Sequence, residues 1–312
     1  KDGTEMELFD LHCDTLVNYQ EEGKDFLSEG TMFSLRNLPL FHRLCQTMAI
    51  FVPDTVRGPE AEAYFDRNCA YFKTLLKKQG DLAAQARSGE EIERITGEGK
   101  CALILSAESG ACLGGRLERV EELYQEGVRF LGLVWNGENE LGSGHNTKKG
   151  LTDFGIRVIR RMEQLRMVAD VSHLNDRGFD MVCEVSSRPF VATHSNLRSV
   201  ASHVRNLTEE QFQEIVRRKG LVGLNLYRSF LSDEGKGDLE ALCRHVYRML
   251  ELGGEDVIAC GSDFDGADID QSLAGPEKFA AAAEYLMERK IPEKAVKKMF
   301  FTNSLEFCRR NF

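Results

Sequence analysis

The segment Leu8–Asp14 ends an apolar run in His12-Cys13-Asp14. In an extended strand, residues i and i+2 face the same side, so the His12 imidazole and the Asp14 carboxylate converge on one spot. A nitrogen and an oxygen donor placed this way make half of a site for a borderline divalent cation such as zinc. Other apolar runs lead to side chains of the same kinds: Glu108, His173, His194 and Asp263. Of the seven histidines in the chain, three close strand-like runs. Buried charges must be paired or bind metal. No Lys or Arg closes a run to neutralise three carboxylates, so the expected counter-charge is a divalent cation, or two sharing a carboxylate.

Such a set needs a scaffold that brings strand ends together. Eight short, near-continuous apolar runs are present: Glu7–Cys13, Cys45–Val52, Cys101–Glu108, Val128–Asn136, Met167–His173, Pro189–Ser195, Leu221–Tyr227 and Val257–Asp263. They read as strands covered on both faces. Amphipathic stretches separate them: Glu60–Arg87, Arg116–Glu126, Phe154–Leu165, Asp176–Ser186, Thr208–Lys219, Asp238–Leu252 and Glu277–Arg289, with Glu293–Cys308 closing the chain. Thr208-Glu-Glu-Gln211 reads as a capping box, and Asp153 and Asp176 as helix N-caps. Eight strands alternating with helices predict an α/β fold, a (β/α)₈ TIM barrel occupying 1–312 as a single domain. An open doubly wound sheet is the alternative, but no Gly-x-Gly-x-x-Gly follows the first strand.

In such a barrel the C-terminal strand ends share one face, where chemistry is expected. Besides the residues above, the fourth run leads into a glycine-rich loop with His145, and the seventh ends in Tyr227. Arg205, after the sixth run, is either a surface residue or the bidentate partner of a substrate carboxylate. Tyr227 either lines the pocket or packs. His42 and His245 read as solvated or structural, and Asp265 as a turn former beside Gly266. His203 is left open.

The 312 residues are 42% hydrophobic and 29% charged, values of a globular protein. A net charge of −10 argues against nucleic acid or an anionic membrane as partner. The nine cysteines form no Cys-x-x-Cys, and several sit in apolar runs. They read as buried free thiols in a reducing compartment, so a cytoplasmic location is expected. No signal peptide, membrane-spanning run or C-terminal hydrophobic tail for a lipid anchor is seen. Met6 reads as a candidate native start, with residues 1–5 added by cloning or left from a leader.

Taken in order, His12-Cys-Asp14, Leu105-Ser-Ala-Glu108-Ser-Gly110, Asp170-Val-Ser-His173, Ala192-Thr-His194-Ser195, Arg205-Asn206 and Gly261-Ser-Asp263-Phe-Asp-Gly266 resemble the membrane (renal) dipeptidase family. These are the M19 metallopeptidases of the amidohydrolase superfamily. The resemblance implies a dipeptidase with two Zn²⁺ per chain: one held by His12 and Asp14, the other by His173 and His194, with Glu108 bridging. It further implies that His145 contacts substrate, Arg205 binds its C-terminal carboxylate and Asp263 is the acid/base acting on an activated water. Free dipeptides, including those with a C-terminal D-residue, are the implied substrates, and a homodimer the implied assembly. The sequence departs from the mammalian pattern at Cys45–Ala49 and in the loop Asn136–Thr147, so side-chain preference and membrane attachment do not transfer. Alternatives are another binuclear-metal amidohydrolase (deaminase, lactonase or phosphotriesterase-like) and a non-catalytic barrel. First-strand His-x-Asp with Glu108 favours the dipeptidase, since those relatives often carry His-x-His and a strand-end Lys.

Overall fold

A computed structural model describes residues 6–312. Residues 1–5, and with them the reading that they were added by cloning or left from a leader, lie outside the described residues. Nine parallel strands are present among the described residues: β1 (Glu7–Cys13), β2 (Arg43–Phe51), β3 (Ala83–Gln85), β4 (Cys101–Glu108), β5 (Val128–Gly132), β6 (Val168–Asp170), β7 (Val191–Ala192), β8 (Leu221–Leu224) and β9 (Ile258–Cys260). All but β3 close into one barrel, with β9 pairing back on β1 and β2 pairing directly with β4. Around it lie helices α1 (Thr15–Glu22), α2 (Gly58–Lys78), α3 (Gly89–Gly97), α4 (Arg119–Gln125), α5 (Asp153–Leu165) and α6 (Asp176–Val185). Then follow α7 (Glu209–Arg217), α8 (Arg228–Leu231), α9 (Leu239–Glu251), α10 (Phe279–Glu288), α11 (Glu293–Lys297) and α12 (Asn303–Asn311). Each of the eight apolar runs coincides with one barrel strand, β2 starting two residues before its run at Arg43, and the (β/α)₈ barrel is the fold found. Every residue of β4 is buried, as a strand between other strands and two covering layers requires.

The structure corrects several local expectations. The helix expected over Glu60–Arg87 ends at Lys78, and Ala83–Gln85 turns back as β3. Here sheet pairing overrides helical spacing. β5 meets β4 only from Leu105 onward, so the edge of Cys101–Leu103 is open, and β3 fills it. The N-caps of α5 and α6 are Thr152 and Asn175, whose side chains accept the amides of Gly155 and Gly178. Asp153 and Asp176 are instead the first helical residues, where a negative charge also suits the helix dipole. The capping box at Thr208 and Gln211 forms as expected. The helix expected over Glu293–Cys308 is interrupted by a π-turn at Lys298–Thr302 between α11 and α12. α1, α3 and α8 were not among the expected helices. All nine cysteines are free, as expected.

The strand starts are sealed by apolar packing of Phe9, Ile104, Phe130, Val168, Val191 and Leu221 against Phe301 and Phe307 from the C-terminal segment. This leaves the opposite face for chemistry. Near that face the barrel is narrow: a Cβ at Gly223 or Gly261 would lie 2.0 Å or 1.9 Å from the Thr193 carbonyl oxygen. Both clashes are with backbone, so relaxation is costly. Gly223→Ala is expected to destabilise the fold by about 3 kcal/mol, read from the urea unfolding midpoint.

Candidate metal centre and cleft

His12 is on β1, Asp14 is the next residue but one, and Glu108 ends β4. His173, His194 and Asp263 lie two or three residues beyond the ends of β6, β7 and β9, in the turns and not in the strands. The backbone turns sharply to deliver two of them: φ is +76° at His173 and +65° at Asp263, a region non-glycine residues rarely adopt. Asp14 depends on Gly266, since a Cβ there would lie 1.9 Å from Asp14 Oδ2.

The six side chains converge. Glu108 Oε2 is 3.2 Å from His12 Nε2, while Glu108 Oε1 is 2.8 Å from His173 Nε2 and 3.4 Å from His194 Nε2. His12 Nε2 is also 3.3 Å from Asp14 Oδ2 and 3.5 Å from Asp263 Oδ1. Two donor trios result, His12–Asp14–Glu108 and Glu108–His173–His194, sharing Glu108; a third is His12–His194–Asp263. Each trio's donor atoms lie within 4.8 Å of one another.

A second layer fixes which nitrogen of each imidazole faces the centre. Asp170 accepts from both the Thr193 amide and hydroxyl. With its proton given to Asp170, the Thr193 oxygen accepts from His194 Nδ1 at 2.8 Å. The His194 proton is therefore on Nδ1, and Nε2 is left as a lone pair. Asn136 Oδ1 does the same for His173 Nδ1 at 2.9 Å. Asn225 donates to Asp263 Oδ2 at 3.1 Å. Asp10, fully buried below His12, accepts from the Ser262 amide and hydroxyl and from Gln46. Asn136, Thr193 and Asn225 were missed as functional residues. Thr193 is adjacent to His194 and Asn136 ends an apolar run, but nothing in their type signals the role.

The buried groups at the centre shift one another's charge. Burial lowers the His12 pKa, yet Glu108 and Asp14 more than offset this and hold it well above the usual range. Burial would raise Glu108, but His12 beside it holds it well below. Burial, helped by the Arg205 guanidinium, pushes His173 down to about 3, so its ring is neutral.

A cleft of about 750 Å³ opens over this centre. Phe51, Tyr64 and Trp135 line one side, and Phe51 packs edge-on against Trp135 at 4.7 Å between ring centroids. His145, His203, Tyr227 and Phe230 line another part, and Glu21 and Asp268 are also on the wall. His145 is half-buried with Nδ1 unpartnered, and burial and Arg205 lower its pKa. Arg205 is buried behind this lining; its Nη1 and Nη2 donate to Ser195 Oγ and the His194 carbonyl. Its Nε is buried without a partner, and among the described residues it forms no ion pair. Asp265 accepts from Thr15, Met32 and Phe33, a structural role. His245 is likewise structural: buried in α9, it bonds the Leu197 amide and the Leu231 carbonyl.

A profile of the membrane dipeptidases, peptidase family M19, matches residues 3–310. The chain belongs to this family. Among curated proteins, this M19 member is 33% identical over 216 residues to an uncharacterized protein in the pqqA 5' region of Klebsiella pneumoniae, covering 65% of this chain and 80% of that protein. Among solved structures it resembles dipeptidase AC, an M19 metallopeptidase, with a TM-score of 0.92 and 26% identity over 99% of both chains. It also resembles a metallopeptidase from Rhodobacter sphaeroides liganded with a phosphinate mimic of L-Ala-D-Ala, with a TM-score of 0.89 and 26% identity over 100% of both chains. No described helix is long and apolar enough to cross a membrane.

The donor set fits a divalent cation. His12 Nε2 and Asp14 Oδ1 are buried without a hydrogen-bond partner, and mixed imidazole and carboxylate donors suit such an ion. Thr193→Val removes the group that orients His194 while keeping its shape. It is expected to weaken metal binding about 10–100-fold, measured by competition with a chromophoric chelator.

Proposed function

We propose that this M19 member is a zinc-dependent dipeptidase acting on free dipeptides, including those with a C-terminal D-residue. The observation that carries the reading is the pair of donor trios sharing Glu108, set beside a buried guanidinium that has no carboxylate partner. In this reading His12 and Asp14 would hold one Zn²⁺ and His173 and His194 the other, with Glu108 available to both trios. The ions would supply Lewis-acid polarisation and a water of lowered pKa.

The chain's own residues do the rest. Arg205 has three of five N–H groups to spare, including Nε, and binds the terminal carboxylate of the substrate. That contact selects a free C-terminus one residue beyond the scissile bond. His145, kept neutral, donates to the oxygen that gains charge at the scissile carbonyl. Asp263 has Oδ2 held by Asn225 and Oδ1 turned toward the centre. It accepts the water's proton and passes it to the leaving amine. Asp14 and the acidic wall favour the free amino group, and Tyr227 lines the cleft. The Rhodobacter sphaeroides relative, with its mimic of L-Ala-D-Ala, supports a dipeptide and a D-residue. The reading extends to 1–312 as one domain and to a homodimer, which the family resemblance suggests. It also extends to a cytoplasmic location, which free thiols favour.

Amino-acid release from L,L and L,D dipeptides, an N-acetylated dipeptide and a tripeptide tests this, with chelated and zinc-reloaded protein compared. Zinc-dependent cleavage of the free dipeptides alone is expected. No release from any member by the metal-loaded protein moves the function to another hydrolase of the superfamily. Arg205→Ala is expected to lower kcat/KM for dipeptides about 10–100-fold, chiefly through KM, as loss of a charged hydrogen bond predicts. An unchanged KM would show that the clamp lies elsewhere.

A further inference from the structure

Beside Arg205 the cleft is lined by a histidine with no role in the chemistry above. His203 lies two residues before Arg205 in the loop between β7 and α7. Its Nδ1 accepts the Arg205 backbone amide at 3.1 Å, which leaves the proton of the neutral ring on Nε2. Burial, with Arg205 adding to it, lowers the pKa of this ring, so it stays a neutral donor. The ring is also held from the side. Its centroid is 4.7 Å from that of Phe230, and Phe230 in turn packs edge-on against Tyr227 at 4.8 Å. His145 is edge-on at 6.4 Å. The Phe230 ring also faces the Arg205 guanidinium at 5.5 Å.

Two imidazoles therefore line this part of the cleft, with a guanidinium without an ion pair buried behind them. The carboxylates that line the cleft come from other segments: Asp14 and Glu21 follow β1, Glu108 ends β4, and Asp263, Asp265 and Asp268 follow β9. One terminal carboxylate answers the guanidinium. A second, separately fixed donor beside it calls for a second acceptor on the same substrate residue. A cleft-lining donor that a bound ligand cuts off from water discriminates strongly against a ligand that leaves it unpaired.

We propose that His203 is a specificity-determining residue, its Nε2–H receiving an acidic side chain on the C-terminal residue of the dipeptide. The inference rests on the dipeptidase reading and on Arg205 as the C-terminal clamp. It makes aspartyl and glutamyl C-termini the favoured class, in a chain whose net charge of −10 would by itself repel them.

The test is kcat/KM of zinc-loaded protein on Ala-Ala, Ala-Asn and Ala-Asp, with both configurations of the second residue. Reading ratios within one preparation cancels differences in folding and metal content. Wild type should favour Ala-Asp over Ala-Ala about tenfold or more, with Ala-Asn between them. His203→Phe keeps a ring against Phe230 but has no donor, and should lower the Ala-Asp to Ala-Ala ratio about tenfold. His203→Gln restores an N–H and should recover part of it. A purely packing role for the ring would give the reverse order of the two variants. Cleavage of Ala-Ala without preference for Ala-Asp, or an unchanged ratio in His203→Phe, overturns the proposal and leaves the dipeptidase reading standing. Cleavage of no dipeptide overturns both.

Discussion

One carboxylate shared by three imidazoles is the constraint around which the barrel mouth is arranged. Glu108 reaches His12 with one oxygen and His173 and His194 with the other. Such a group is tolerated in a buried place only where opposite charge answers it, and His12, held well above its usual range, is the positive neighbour in contact with it. The three imidazoles come from strands or turns far apart in sequence, so the cluster forms only when the barrel closes. Closure in turn requires backbones to approach without side chains between them, which is why glycines occupy the positions facing the Thr193 carbonyl.

The supporting layer is built with little extra chain. Thr193 orients His194 from the adjacent position, and Asp170, three residues before His173, anchors Thr193 in turn. Ser172 and Ser195 share a hydrogen bond, Ser172 also accepts the His194 amide, and Ser195 accepts from Arg205. His173, His194 and the guanidinium thus hang on one network spanning the turns after β6 and β7. A displacement at either turn is felt by both, so these residues act as one preorganised unit.

Much of this was legible in sequence. The strands announce themselves because burial on both faces demands continuous apolar runs, as in Cys101–Glu108. His12, Asp14, Glu108, His173, His194 and Asp263 stood out because titratable groups closing such runs have no packing explanation. What was not legible depends on partners distant in sequence. Ala83–Gln85 has no strand pattern of its own and exists because β5 leaves part of β4 uncovered. Asn136 and Asn225 gain their roles from where their amides point, which composition does not encode. Thr152 and Asn175 took the capping positions from neighbouring aspartates, a one-residue difference decided by backbone angles. His203 was readable as a residue near Arg205, but its fixed tautomer appears only once the loop is folded.

The chain contains one tryptophan, and it stands in the cleft wall. Trp135 packs edge-on against Phe51 and lies 6.3 Å, between ring centroids, from the ligand candidate His173. All indole emission from this protein therefore originates at the place where substrate and metal would meet. Its intrinsic fluorescence is a built-in optical gauge of cleft occupancy, with no second indole elsewhere to dilute the signal.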